Sequence, residues 1–251
     1  MATRKLNDSL PELKIIINHL QTGEVSLVGQ AMRGSNSTFL VNVAKDSKIL
    51  QAIYKPSKGE RPLWDFPNFT LAQREVAAFI VSLLLGWHFV PPTVLRTKPV
   101  VFGSGSLQLF IQHNPKVHYL NSEFTDELIL MKIVIFDHLI NNADRKSGHI
   151  IFDENQKPWL IDHGLSFNCV NKHRSVVWEF TGLPLPEEIK SDLELFINHL
   201  ILHKLRLVKK LSSLLSKQEY SAIIRRGSSL LEQGFFPSPE PDRRSYPWPP
   251  I

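Results

Sequence analysis

Between residues 133 and 168 the sequence runs from an apolar stretch, Ile133-Val134-Ile135-Phe136, into a turn crowded with Asn, Asp, Arg and His. The turn reads Asn141-Asn142-Ala143-Asp144-Arg145, with His149 just beyond it. Residues 150–152 and 158–161 then read as a strand pair joined by Asp153-Glu154-Asn155-Gln156. Asp162 closes the second apolar run and is followed by His163 and Gly164. A carboxylate at the mouth of a buried element is costly unless it is paired or bound to a cation. Two such carboxylates, one delivered by a helix and one by a strand, suit a site that positions a hydroxyl with one and a metal ion with the other.

The rest of the chain must build a frame around that stretch, and its 251 residues suffice for one large domain or two lobes sharing a cleft. A formal net charge of +5 suits an anionic ligand such as a nucleotide but is too mild to require nucleic acid. The single cysteine, Cys169, excludes an intrachain disulfide and a Cys-based zinc site, and fits a cytoplasmic setting. No apolar core of a signal peptide follows Met1-Ala2-Thr3-Arg4-Lys5. The greasiest run, 76–90, is shorter than the roughly 20 residues of a spanning helix and is broken by Ser82, Gly86 and His88, so no integral membrane association is expected.

Residues 9–20 predict a short helix, capped by Ser9 with Pro11 in its first turn. Three strands follow at 25–32, 38–43 and 49–54, with links short enough to imply an antiparallel sheet. The loop 56–69 is long and holds Arg61, Trp64, Asp65 and Phe66 among prolines. Thr70 and Gln73 have capping-box spacing ahead of a helix with its apolar stripe at Val76, Phe79, Ile80, Leu83, Leu84 and Trp87, stopped at Gly86. Residues 92–112 read as strand around Gly103-Ser104-Gly105. A helix capped by Thr125 or Asp126 runs to Leu139 and is apolar almost all round, as a buried central helix would be. Three further helices are expected over 186–203, 205–215 and 218–226, the last behind a second capping box at Ser216 and Glu219. The basic run 203–210 reads as a solvated helix face. The domain reading is an N-terminal helical extension at 1–23, an N-lobe at 24–112, a C-lobe at 113–235 and a Pro-rich tail at 236–251, extended or disordered.

Asp137 to Phe167 resembles the catalytic and metal-binding loops of the phosphatidylinositol 3-/4-kinase-like branch of the protein-kinase-like fold. Asn141, Asp144 and Arg145 with Ile-Asp-His-Gly (161–164) look closest to type II phosphatidylinositol 4-kinases and their bacterial relatives, and HipA-type and secretory-pathway kinases share a similar layout. Tyr54-Lys55-Pro56, the Arg61–Pro67 segment, Arg74-Glu75-Val76 and Val90-Pro91-Pro92-Thr93 extend the likeness to a bacterial kinase-like family. The resemblance implies an α+β, bilobal protein-kinase-like fold, with an antiparallel-sheet N-lobe carrying one key helix and a mostly helical C-lobe. It implies catalytic roles for Asp144 and Arg145, and makes Asp162 a ligand of the metal that bridges ATP phosphates. Lys55, ending Ala52-Ile53-Tyr54-Lys55, would contact phosphates in partnership with Glu75. Ser35, Asn36 and Ser37 in the first hairpin would lie over them, although no Gly-x-Gly-x-x-Gly is present. Residues 109–112 would meet the adenine edge. His149 departs from the pattern, since the family carries Asn five residues after its catalytic Asp. It stands as a ligand favouring manganese or zinc over magnesium, as the mark of a site that uses one ion, or as a structural histidine.

The implied function is an ATP-dependent phosphotransferase using Mg2+ or Mn2+ and a hydroxyl acceptor, with a small molecule or protein favoured over lipid. Two alternatives stay open. One is a nucleotide-binding pseudokinase. The other is a metal-dependent phosphohydrolase built on Asp144, His149, Asp162 and His163.

Overall fold

The computed structural model describes residues 2–30, 37–97 and 102–251. The chain begins with α1 (Ala2–Thr22), which starts earlier than the helix expected from Ser9 and carries Pro11 inside it. Next come β1 (Glu24–Gln30), β2 (Phe39–Lys45) and β3 (Lys48–Pro56). Helix α2 (Leu71–Leu84), β4 (Thr93–Arg96) and β5 (Gly105–Leu109) complete the N-terminal lobe. The five strands form one antiparallel sheet in the order β1-β2-β3-β5-β4.

Strand β3 is central and alternates as a half-buried strand should. Ala52 and Tyr54 face a small core with Leu20, Val41, Val43, Val94 and Leu107. Lys55 therefore falls on the other face, toward the cleft. Gly105 lets β5 close on this point, because a Cβ there would lie 2.4 Å from the Lys55 carbonyl oxygen. Helix α1 is fastened to the sheet at its end: His19 Nε2 meets Val43 O at 2.7 Å, and Arg96 donates to Leu20 O and Gly23 O.

The C-terminal lobe holds α3 (Glu127–Ile140), the β6 (Ile150–Phe152) and β7 (Pro158–Leu160) hairpin, α4 (Glu187–Leu202), α5 (Arg206–Leu214) and α6 (Lys217–Gln233). Asp126 caps α3 by accepting from Ile129 N at 3.1 Å. The predicted capping box of Ser216 and Glu219 is formed at the start of α6. That helix runs through Gly227, past the boundary expected at Arg226. Gly227 is kept for packing, since a Cβ there would meet Ile197 Cδ1 at 2.9 Å. The helix stops at Gly234, which is left-handed at φ 74°.

The apolar face of α2 joins the larger core with α3, α4 and α6 rather than the sheet's own small core. Each fully buried Leu, Ile or Phe in it contributes about 1.5–3 kcal/mol. The other predicted capping box does not form. Thr70 Oγ1 donates to Pro67 O, and the first amides of α2, Leu71 N and Ala72 N, bond to the Glu60 carboxylate at 3.2 and 3.1 Å. The Thr70 hydroxyl is spent on Pro67 O instead of the Gln73 amide, and a charged acceptor from the preceding loop caps the two amides between them.

The Pro-rich tail, expected to be extended or disordered, contains no helix or strand but is bonded to the body. Ser175 N and Trp178 Nε1 donate to Ser245 O, and Ser147 N donates to Pro250 O. No helix among the described residues is long and apolar enough to cross a membrane.

Candidate active site

Helix α3 ends at Asn141, which adopts the left-handed conformation at φ 52°. Asn tolerates this region better than most residues. Its side chain donates to Asn168 O and Val170 O and accepts from Lys172 N, tying the helix end to the segment after Asp162. Asn142 holds the turn itself. Its Nδ2 donates to Asp137 Oδ1, and its Oδ1 accepts from Asp144 N, both at 3.0 Å.

Arg145, expected to act beside Asp144, is turned the other way. Its guanidinium is fully buried and forks onto Asp137, Nε to Oδ2 at 2.7 Å and Nη2 to Oδ1 at 2.9 Å. It also donates to His149 O, Ile161 O and His163 Nε2. Arg145 therefore positions the loop and does not reach the cleft. The reason is electrostatic: Asp137 is itself fully buried in α3 and needs a bidentate partner.

The cleft between the lobes contains a cavity of about 120 Å3 bordered by Ser37, Lys55, Glu75, Asp144, Asp162 and Gly164. Ser35 and Asn36 lie outside the described residues. Lys55 Nζ stands at 2.5 Å from Glu75 Oε1 and 2.9 Å from Asp162 Oδ1. Burial disfavours the ammonium, but these two carboxylates outweigh it and hold its pKa above the ordinary lysine value. The Lys55 ammonium in turn holds the Asp162 carboxyl well below the usual carboxylate range. Asp162 makes the tight turn with its own backbone, at φ 61°. Gly164, read in the sequence as the residue allowing that turn, is not left-handed and would accept a Cβ with ordinary contacts.

His149 approaches Asp162 from behind, with Nε2 at 3.5 Å from Oδ2. Its Nδ1 lies 2.9 Å from Asp144 O. A carbonyl only accepts, so Nδ1 carries the proton and the Nε2 lone pair faces the carboxylate. Burial lowers the His149 pKa to about 4, against the pull of Asp162. A neutral imidazole nitrogen and a carboxylate oxygen facing each other are two acceptors that a cation between them would satisfy. Among the described residues no group of three or more His, Cys, Asp or Glu side chains is placed to hold a metal ion. Any ion here would draw its other ligands from a bound phosphate and water.

Burial raises the Asp144 pKa to about 6, with Asp162 adding to the shift and Lys146 opposing it. Lys146 Nζ is 3.5 Å from its Oδ2.

His163 is fully buried and leaves the cleft to its neighbours. Its Nε2 accepts from Arg145, so its proton sits on Nδ1, 3.8 Å from Glu75 Oε2, while its backbone N–H donates to the same Oε2 at 3.0 Å. Nothing in the local pattern of residues 161–164 indicates this inward turn. Lys55, Glu75, His163, Arg145 and Asp137 form a continuous polar chain from β3 to α3. Two contacts missed in the sequence brace it: Arg74, almost fully buried, bonds Glu219 at the head of α6 and donates to Ser166 O at 2.6 Å. At the expected adenine edge, Leu109 N and Phe110 N are already bonded to Pro92 O and Gln51 O.

No protein-family model matches the chain. Protein Rv2133c of Mycobacterium tuberculosis (strain ATCC 25618 / H37Rv) is 36% identical over 265 residues, spanning 92% of this chain and 93% of that protein. Among solved structures, the Golgi casein kinase with Mn/ADP bound aligns with a TM-score of 0.58 at 17% identity, covering 88% of this chain and 75% of that chain. The hydra Fam20 structure with sugar gives 0.56 at 18%, with 90% of each chain covered. The Helicobacter pylori proinflammatory kinase CtkA gives 0.51 at 11%, covering 86% of this chain and 94% of that chain. These likenesses establish a bilobal protein-kinase-like fold. The narrower phosphatidylinositol-kinase branch suggested by the sequence is not among them.

Proposed function

The chain belongs to one family with the mycobacterial Protein Rv2133c, and we propose that it is an ATP-dependent phosphotransferase that uses a divalent metal and a hydroxyl acceptor. One observation carries this reading: Lys55 is clamped between Glu75 and Asp162, with Asp144 on the same small cavity. Lys55 supplies a fixed positive charge where the phosphates of a nucleotide would lie, and Glu75 keeps it aimed. Asp162 and His149 would hold the metal, which supplies charge neutralisation on phosphate oxygens. One nitrogen and one oxygen donor favour manganese over magnesium. The fold is shared with the Golgi casein kinase, whose structure carries Mn and ADP, and that supports the same assignment.

Asp144 is the group that receives the acceptor. With a pKa near 6 it is ionised at neutral pH yet basic enough to accept the hydroxyl proton as the acceptor oxygen attacks. Asn142, Arg145 and Asp137 hold it at fixed height through the backbone. In a reaction of this type most of the catalysis is positioning and electrostatics, which is what these contacts provide. The phosphohydrolase alternative needs His163 in the cleft, and the burial of that ring weighs against it.

The test is a thermal-shift titration of ATP with magnesium and with manganese, on wild type and Asp162→Ala. Ligand at a hundred times its Kd should stabilise the fold by about 2.7 kcal/mol. A metal-dependent shift that disappears in the variant is expected. Absence of any shift with either metal would sink the phosphotransferase reading.

A further inference from the structure

A larger cavity, of about 520 Å3, opens on the C-terminal lobe beside the segment that follows Asp162. This falls within the roughly 300–1,000 Å3 of small-molecule pockets. One wall is residues 170–174, the other is the tail at 237–245, and His138, His173 and Trp178 contribute aromatic surface. Its charge is one-sided. Lys172, Arg174, Arg243 and Arg244 border it against a single carboxylate, Glu240. Glu240 is taken by Arg243 at 3.2 Å and by the Asn171 amide, and Lys172 is taken by Asp65 at 2.8 Å.

Arg174 and Arg244 are different. Each donates through Nε to a backbone carbonyl, Arg244 O at 3.3 Å and Tyr246 O at 3.2 Å. Among the described residues neither meets a carboxylate or gives its terminal guanidinium nitrogens a hydrogen-bond acceptor, although the Arg244 guanidinium lies over the Trp248 ring at 5.8 Å. His173 is 9% exposed, and its Nε2 is buried without a hydrogen-bond partner. Two guanidinium forks without carboxylate partners on one pocket match a phosphate dianion in charge, and each can present paired N–H donors to it.

The pocket shares no lining residue with the candidate active-site cavity, but the segment that walls it is bonded to the Asp144 loop by backbone. Arg174 N donates to Asn142 O at 2.9 Å, and Arg145 N donates to Arg174 O at 3.1 Å, on either side of Asp144. The tail wall reaches the same loop through Ser147 N and Pro250 O at 2.9 Å.

We propose that this cavity binds the phosphate of the acceptor, and that the acceptor is a small phosphomonoester with a free hydroxyl. The proposal rests on the phosphotransferase reading. In the reaction the acceptor oxygen bonds to the γ-phosphorus, the bond from that phosphorus to the ADP oxygen breaks with its electron pair, and the hydroxyl proton passes to Asp144. Arg174 and Arg244 hold the pre-existing phosphate and take no part in bond making.

The test is calorimetric titration of the full chain, free of nucleotide and metal, with inorganic phosphate and with glycerol 3-phosphate. Three proteins are compared: wild type, the double variant R174Q/R244Q, and K55M. Binding to wild type, weakened about tenfold or more in the double variant and unchanged in K55M, is the expected result, because two charge-assisted contacts are lost. Melting curves show whether the double variant is folded; if it is not, the single variants R174Q and R244Q take its place. No binding of inorganic phosphate to wild type, or equal binding by the arginine variants, overturns the proposal. So does binding that K55M abolishes, which would put the phosphate in the nucleotide cleft. Phosphatidylcholine vesicles containing phosphatidic acid form the other arm. Capture of those vesicles without binding of glycerol 3-phosphate would replace a soluble ester with a lipid headgroup and overturn the proposal. The readout uses no ATP, so its failure is separate from failure of the phosphotransferase reading. Phosphate binding here in a chain that shows no metal-dependent ATP shift would leave an anion site and remove its acceptor role.

Discussion

Arg145 and Asp137 are both fully buried, and each is tolerable only because of the other. Replacing one leaves an unpaired charge inside the protein, which costs about 3–5 kcal/mol. Arg145→Met should therefore lower the urea midpoint sharply, and R145M/D137L should recover a good part of the loss. A single variant within experimental error of wild type would refute this account of the loop. His149 gives a second residue-scale expectation. His149→Asn replaces a nitrogen donor by an oxygen donor, so the nucleotide-induced thermal shift should move from manganese-favoured to magnesium-favoured. An unchanged metal ranking would make His149 structural. At this scale the sequence disclosed which residues lie on the loops. Asp144, Asp162, Lys55 and Glu75 do meet at one cavity. It did not disclose which way a loop residue turns. Arg145 and His163 sit among cleft residues in sequence and point into the core, because Asp137 of α3 draws the guanidinium inward and Arg145 in turn holds the His163 ring.

At the scale of elements, helix α2 illustrates both what local motifs predict and where they fail. Its apolar stripe was legible because helical spacing is a short-range signal. Its cap was not, because Glu60 comes from the preceding loop and leaves no local pattern. Glu60→Ala should destabilise by about 0.5–2 kcal/mol, the usual cost of losing an N-terminal cap, while Gln73→Ala should change little. Denaturant unfolding of the two variants checks this, and equal effects would restore the predicted capping box. The box at Ser216 and Glu219 did form, and there Glu219 also serves Arg74. Arg74→Met removes that ion pair and the bond to Ser166 O together. It should weaken ATP-induced stabilisation as well as the fold, because Glu75 is its neighbour on α2.

On the scale of the whole molecule, the change from strand-rich to helix-rich sequence made the α+β, two-lobed class legible. The tail's anchorage was invisible, since its backbone and side-chain bonds go to residues far back in the chain that leave no local pattern. The C-terminal lobe also carries a pH dependence. Burial lowers the pKa of His138 and of His173 to about 3, and the nearby Arg226 pushes both the same way. The unfolded chain binds these two protons below its ordinary value of about 6.5 while the folded chain does not. Their contribution is therefore intact above pH 6.5 and is lost as pH falls toward 3, with a slope near pH 5 of about 2.7 kcal/mol per pH unit for the pair. Unfolding free energies at pH 7 and pH 5 for wild type and His173→Phe should differ in slope by about half that amount. Parallel curves would show that the histidine is already protonated when folded.

The packing of α2 has one more consequence. Its apolar face lies in the core of the C-terminal lobe, Arg74 pins it to α6, and Trp87 just beyond it donates to Asp192 of α4 at 2.7 Å. The helix also packs on β4 and β5, so it is a hinge plate shared by sheet and C-terminal lobe. Lys55 reaches it from the sheet through Glu75, which makes the aim of that charge a readout of how the sheet sits on the helix.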